Sequence, residues 1–245
     1  MEIIAIVNPK GGVGKTTTAI NLAAVLAERG KRVLLVDTDF QMHATTSLGV
    51  RKIEYDLFHL LKKIKHPNEV IVKTPFKIDV IPSSLGLLKV DEIYLNKNSI
   101  LEDVLREIEY DYVIIDTPPS LNPLNIDVLK FADNILIPIQ ANVFSLESLK
   151  MFLSTISLFK ATANQKLKIK GILPTIFIRN SNFSKQILQD LKRDFGDKLF
   201  WERNEVLVIP KSLKVEEAVS FCKPIIYYDD SNIVSKAYRR LVDFI

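Results

Sequence analysis

The segment from Ile3 to Gly30 constrains what this chain can fold into more than any other. Ile3-Ile4-Ala5-Ile6-Val7 is a short apolar run of strand formers. Asn8-Pro9 follows, then Lys10-Gly11-Gly12-Val13-Gly14-Lys15-Thr16-Thr17, and then a helical stretch from Thr18 to Arg29 that stops at Gly30. Three of the eight glycines in the chain fall between positions 11 and 14. That spacing lets successive backbone N–H groups turn inward on a bound anion, and the helix N-terminus behind them adds partial positive charge. In a strand, loop and helix so arranged, Lys15 would reach the β- and γ-phosphates and the Thr16 hydroxyl would hold Mg²⁺. Residues 10–17 therefore imply a nucleoside triphosphate site made of Lys10, Gly11, Gly12, Val13, Gly14, Lys15, Thr16 and Thr17.

The loop departs from the strict phosphate-loop pattern at one place. A glycine is expected five residues before Gly14, where Pro9 stands, and a second lysine, Lys10, opens the loop instead. Lys15 suffices for the phosphates of its own chain. The extra cation then either is a solvated loop residue or stabilises phosphate charge across a dimer interface, as a trans-acting arginine does. At these residues the sequence resembles the deviant Walker A ATPases of the ParA/MinD superfamily, whose signature lysine acts in a face-to-face dimer. The resemblance implies ATP and Mg²⁺ as ligands, with Lys10 and Lys15 in catalytic roles.

Further along, Arg32-Val33-Leu34-Leu35-Val36-Asp37 is continuously apolar up to its acid, the pattern of a strand buried on both faces. It leads into Asp37-Thr38-Asp39-Phe40-Gln41. Carboxylates at the C-terminal edge of such a strand sit where α/β sheets bind ligands, so one of them could order Mg²⁺ or the attacking water, while Asp37 could instead cap the helix expected from Ala44 to Leu48. The segment resembles the Asp-x-Asp-Pro-Gln of ParA proteins, which implies that Asp39 positions the hydrolytic water. Here Phe40 replaces the proline, and Met42-His43 replaces the usual Gly-Asn. Tyr112-Val113-Ile114-Ile115-Asp116 is a second buried strand ending in an acid, and Asp116 fits a carboxylate that holds the water shell of Mg²⁺. The following Thr117-Pro118-Pro119-Ser120 also resembles ParA. His43, His59 and His66 share no metal-ligand spacing.

Further strands are expected at Val70–Val72, Ile78–Ile81, Asn134–Pro138, Ile169–Thr175 and Val206–Pro210. Helices are expected at Asp56–Lys63, Ile100–Ile108, Ser145–Lys160, Asn182–Phe195 and Asn232–Phe244. Repeated strand–helix alternation behind a phosphate loop implies an α/β fold, a doubly wound and mainly parallel sheet with helices on both faces. No repeat, low-complexity tract or linker interrupts it, so residues 1–245 are expected to form one ATPase domain. The single cysteine, Cys222, excludes a disulfide framework and a cysteine-bound cluster, and fits a cytoplasmic protein. No apolar run approaches the ~20 residues that span a bilayer, and no membrane association is expected.

Net charge is +4, unevenly placed: residues 161–245 carry a balance of +5 and the first 160 residues −1. The imbalance is either ordinary surface variation or a basic face for phosphate backbones. The resemblance to ParA/Soj-type partition ATPases covers nearly the whole chain and is weakest between residues 50 and 100. It implies that Pro210 lies against the adenine and that Lys211, in place of the family's arginine, helps form a DNA-binding face. Arg179 and Asn180, where the family has another DNA-contacting arginine, and Lys185 and Lys214 nearby, complete the expected face. Because the chain starts at its first strand, the short form without an N-terminal helix-turn-helix is expected. Such a protein dimerises on ATP, binds double-stranded DNA without sequence preference on the nucleoid, and is reset by a ParB-type partner. The alternative is a MinD-like membrane-cycling ATPase, which needs a C-terminal membrane helix; Ala237–Ile245 is short for one.

Overall fold

The computed structural model describes residues 1–94, 100–140 and 145–245. Among the described residues, seven strands form one sheet: β1 (Glu2–Ile6), β2 (Val33–Asp37), β3 (Val72–Lys73), β4 (Ile78–Ile81), β5 (Tyr112–Asp116), β6 (Asn134–Gln140) and β7 (Lys168–Thr175). Their order is β3-β4-β2-β5-β1-β6-β7, and every pairing is parallel except that of β3 with β4. The expected doubly wound, mainly parallel sheet is what the chain forms.

The two faces of the sheet explain the unbroken apolar runs. Ile3 and Ala5 of β1 point into one hydrophobic cluster and Ile4 and Ile6 into another, so each strand is covered on both sides. One cluster is closed by the helices Pro123–Phe131, Ser145–Thr162 and Asn182–Phe195, the other by α1 (Lys15–Glu28) and the closing helix Ile233–Val242. That closing helix buries Ala237, Tyr238, Leu241 and Val242. Arg239 ties it to Glu28 of α1 at 2.9 Å and Arg29 pairs with Asp243 at 2.6 Å. Its buried apolar side packs on the core. No helix among the described residues is long and apolar enough to cross a membrane.

Register brings the candidate residues to one edge. Asp116 of β5 pairs with Ile6 of β1 on one side and with Asp37 of β2 on the other, so the glycine loop and both acids leave the same C-terminal edge. Order reverses around β1, since the chain steps outward first to β2 and later to β6, and the crevice at such a point is where ligands bind.

Two expected strands need correction. Pro67–Val70 is a helical turn, because Pro67 occupies its first position and His66 with Glu69 forms a reciprocal capping box; the strand is only Val72–Lys73. Of Val206–Pro210, only Val206 is in a strand, Glu205–Val206, which pairs antiparallel with Trp201–Glu202. The remainder runs extended beside the end of β7, held by Ile209 N–H to the Pro174 carbonyl and Phe177 N–H to the Ile209 carbonyl, at 2.8 and 3.0 Å. Pro210 has no N–H to continue a ladder.

Candidate functional site

The loop after β1 has the backbone that its glycines allow. Gly12 and Gly14 have φ of 72° and 82°, a region that costs residues with a Cβ about 1–2 kcal/mol. Gly14 is the N-cap of α1 and offers no side chain to its free N–H groups, and the first turn holds no acidic residue. The end of α1 is thus open to an anion from outside. The loop is pinned at several points: Asn8 Nδ2 donates to the Pro138 carbonyl at 2.7 Å and Asn8 Oδ1 accepts from Lys10 N–H at 2.8 Å. Thr175 Oγ1 donates to the Val13 carbonyl at 2.7 Å.

A cleft of about 460 Å³ opens above this edge. Gly11, Gly12, Gly14, Lys15, Thr16 and Thr17 line it with Asp39. Pro210, Lys211, Val215 and Tyr238 line it as well. Two of the expected nucleotide residues lie elsewhere: Val13 is buried beneath the loop, and half-buried Lys10 stands outside the walls of the cleft. Lys15 is buried and its Nζ donates to the Lys10 carbonyl at 3.0 Å. Burial lowers its pKa, and the negative charges of Asp116 and Asp39 oppose that shift.

The three acids differ sharply in their partners. Asp37 is fully buried and saturated: Oδ1 accepts from Asp39 N–H at 3.1 Å, and Oδ2 accepts from Thr45 N–H at 2.8 Å and Thr45 Oγ1 at 2.7 Å. It fastens the helix His43–Ser47 to β2, the capping alternative raised by the sequence. Asp39 lines the cleft and accepts Gln41 N–H on Oδ1 at 2.9 Å. Asp116 is fully buried at the end of β5, and neither of its oxygens has a hydrogen-bond partner among the described residues. A buried carboxylate with both oxygens orphaned calls for a missing donor or cation. Among the described residues no three His, Cys, Asp or Glu cluster as a metal cage. One carboxylate beside the Thr16 hydroxyl is the kind of protein contribution that suits Mg²⁺, which keeps its waters and takes further oxygens from phosphates.

Burial pushes the Asp116 carboxyl well above the usual carboxylate range. The charge of Asp37 adds to this, while the positive charge of Lys15 acts against it. Burial also pushes Asp37 up to about 6, against the opposing bonds from Thr45 and Asp39. The folded chain therefore retains a proton on Asp37 between about pH 4 and about pH 6 that the unfolded chain has released. The Asp37 contribution to stability without nucleotide should fall as pH rises through that window, by on the order of 2–3 kcal/mol, and level off above it. Urea unfolding of the wild type against Asp37→Asn checks this. The wild type should lose stability relative to the variant as pH rises, and parallel pH profiles would refute it.

Of the remaining expected residues, Lys211 lines the cleft and the others lie outside its walls. Arg179 and Asn180 occupy the exposed turn between β7 and the helix Asn182–Phe195, and exposed Lys185 is in that helix's first turn. Lys211 N–H donates to the Phe177 carbonyl at 2.9 Å, which sets Lys211 two residues from Arg179 across paired backbones. Lys214 stands apart chemically, because its Nζ pairs with Glu217 at 2.7 Å. Thr175, Thr45 and Tyr238 were not singled out in the sequence. Their signal was faint: a threonine ends a strand, or follows an acid by eight residues, in many sites with no ligand.

Comparison with known proteins agrees with this geometry. A family model described as an AAA domain matches residues 1–169. The chromosome-partitioning ATPase Soj of Thermus thermophilus is 40% identical over 240 residues, 98% of this chain and 93% of that protein. The chromosome partitioning protein ParA of Caulobacter vibrioides is 38% identical over 252 residues, 98% of this chain and 92% of that one. The structure of cobyrinic acid a,c-diamide synthase from Mycobacterium smegmatis with a bound ATP analogue and magnesium superposes with a TM-score of 0.84 at 28% identity, covering 99% of this chain and 93% of that chain. That last likeness shows how widely the fold is used; the near full-length identity to Soj and ParA is more specific. On that identity, with the glycine loop, the second lysine and the two strand-end acids all in place, the chain belongs to the ParA/Soj family of chromosome-partitioning ATPases.

Proposed function

We propose that this chain, acting as one domain over residues 1–245, is an Mg²⁺-dependent ATPase that dimerises on ATP. The dimer binds double-stranded DNA without sequence preference and is reset when a ParB-type partner stimulates hydrolysis. The observation that carries the reading is the juxtaposition of an open helix N-terminus, buried Lys15 and orphaned Asp116 at one sheet edge. Each of these lacks what an Mg²⁺–triphosphate would supply.

Bound Mg²⁺ neutralises phosphate charge. Gly11 to Thr17 would cradle the phosphates through backbone N–H groups, and Lys15 would turn from the Lys10 carbonyl to the β/γ-phosphates. Thr16 and Asp116 would hold the cation, Asp116 through water. Asp39 would orient the attacking water, and Pro210 would bound the adenine. Lys10 stands outside its own cleft wall, which supports a role across the dimer interface on the partner copy's phosphate. DNA contact would come from Arg179, Asn180, Lys185, Lys211 and Lys214, and residence on the nucleoid in the cytoplasm follows from it.

Two lysine variants separate the parts of this proposal. Lys15→Ala should lose ATP binding, read with a fluorescent analogue. Lys10→Ala should bind ATP within a fewfold of wild type yet sediment as a monomer with a slowly hydrolysed analogue. An unchanged dimer fraction in Lys10→Ala would return that residue to a solvated loop position.

A further inference from the structure

Asp39 is held in place by a ring of buried polar groups that does not touch the cleft. Ser83 lies just beyond β4, whose last residue, Ile81, pairs with Val36 beside the end of β2. Its Oγ donates to the Asp39 carbonyl at 2.6 Å, and its N–H donates to Thr45 Oγ1 at 3.1 Å. Thr45 Oγ1 in turn donates to Asp37 Oδ2 at 2.7 Å, and Asp37 Oδ1 accepts the Asp39 N–H at 3.1 Å. The circuit thus leaves Asp39 by its N–H and returns to it by its carbonyl. Ser83, Thr45 and Asp37 all have no solvent exposure, and Ser83 is not among the residues lining the cleft.

Such a ring is expensive to keep unless each member is satisfied. Packing alone would be met by alanine at position 83, so the hydroxyl's contribution is its bond to the Asp39 main chain. That main chain is otherwise a loop between β2 and the helix His43–Ser47, with Met42 in a left-handed conformation at φ 60°. We propose that Ser83 is a positioning residue for ATP hydrolysis, clamping the Asp39 backbone so that its carboxylate meets the attacking water. This rests on the reading of Asp39 as the water-positioning group. Misplacing a reacting group by about 1 Å can cost on the order of a hundredfold in rate, and loss of one clamp of several should cost about tenfold.

The test is single-turnover hydrolysis and ATP affinity measured side by side on full-length wild type, Ser83→Ala, Ser83→Thr, Asp39→Ala and the double variant Asp39→Ala/Ser83→Ala. Urea unfolding verifies that each is folded; Thr45→Ser, which keeps a hydroxyl at the neighbouring site, stands in for Ser83→Thr if the added methyl prevents folding. Ser83→Ala should slow hydrolysis about tenfold with ATP affinity within twofold of wild type, and the variant keeping its hydroxyl should hydrolyse faster than Ser83→Ala. In the double variant the serine change should add nothing to the loss from Asp39→Ala. Wild-type hydrolysis by Ser83→Ala, or a parallel loss of rate and affinity, overturns the proposal. Wild-type hydrolysis by Asp39→Ala would instead overturn the reading of Asp39 on which it stands.

Discussion

Asp39→Ala is expected to bind ATP and dimerise like the wild type while its hydrolysis falls by about a hundredfold or more. Three acids lie at the sheet edge, and only this one has a side chain on the wall of the cleft. Asp37 has spent both oxygens on Thr45 and Asp39, and it is too deep to meet a water. Asp116 is fully buried and does not line the cleft, and both its oxygens are unpartnered among the described residues, which suits the proposed cation rather than a nucleophile. Removing the Asp39 carboxylate leaves the glycine loop, Lys15 and Thr16 untouched, so affinity should hold. Loss should therefore appear in the rate of the chemical step and not in nucleotide affinity. Single-turnover hydrolysis with parallel fluorescent-nucleotide titration measures both. An undiminished single-turnover rate would remove Asp39 from the chemistry.

How far the sequence discloses this arrangement depends on how local the cause is. The glycine loop, the apolar strands ending in Asp37 and Asp116, the strand Ile78–Ile81 and the helix Asn182–Phe195 are set by neighbouring residues, and the chain forms them as expected. The helices Pro123–Phe131 and Leu213–Ser220 carried signals too, Asn122 before Pro123 and the cap Ser212, yet each reads equally as a turn until its apolar side finds a cluster. Strand position alone does not tell Asp37 from Asp39; only the resemblance to ParA points to Asp39. Their separation depends on Thr45, eight residues beyond Asp37, and on Ser83, forty-four beyond Asp39, and no periodicity links those positions. Gly171 shows the same limit. A Cβ there would lie 2.3 Å from the Phe200 ring, a demand set wholly by tertiary packing.

DNA affinity is expected to depend on ATP and to fall by about a thousandfold between about 50 and 200 mM salt. One copy offers three exposed cations on the expected face, Arg179, Lys185 and Lys211, while Lys214 is already paired with Glu217. Three phosphate contacts bind weakly at physiological salt. An ATP-linked dimer presents six on one rigid body, and because each contact releases condensed counterions, the log–log salt slope should approach about −5. In the proposed mode these cations meet phosphates rather than base edges, so random duplexes should bind alike. Lys211→Ala removes one contact per copy and should make the dimer's slope shallower by about two. Lys214→Ala should change it less, since the exposed pair with Glu217 offsets its charge even though such a pair is itself worth little. Basal ATP hydrolysis without DNA should be retained in Lys214→Ala, whose side chain does not line the cleft. Fluorescence anisotropy on a labelled duplex, with and without a slowly hydrolysed ATP analogue across a salt series, gives every one of these quantities. Binding that ignores ATP, or that prefers one duplex sequence over random DNA, would contradict the switch and with it the assignment of this face.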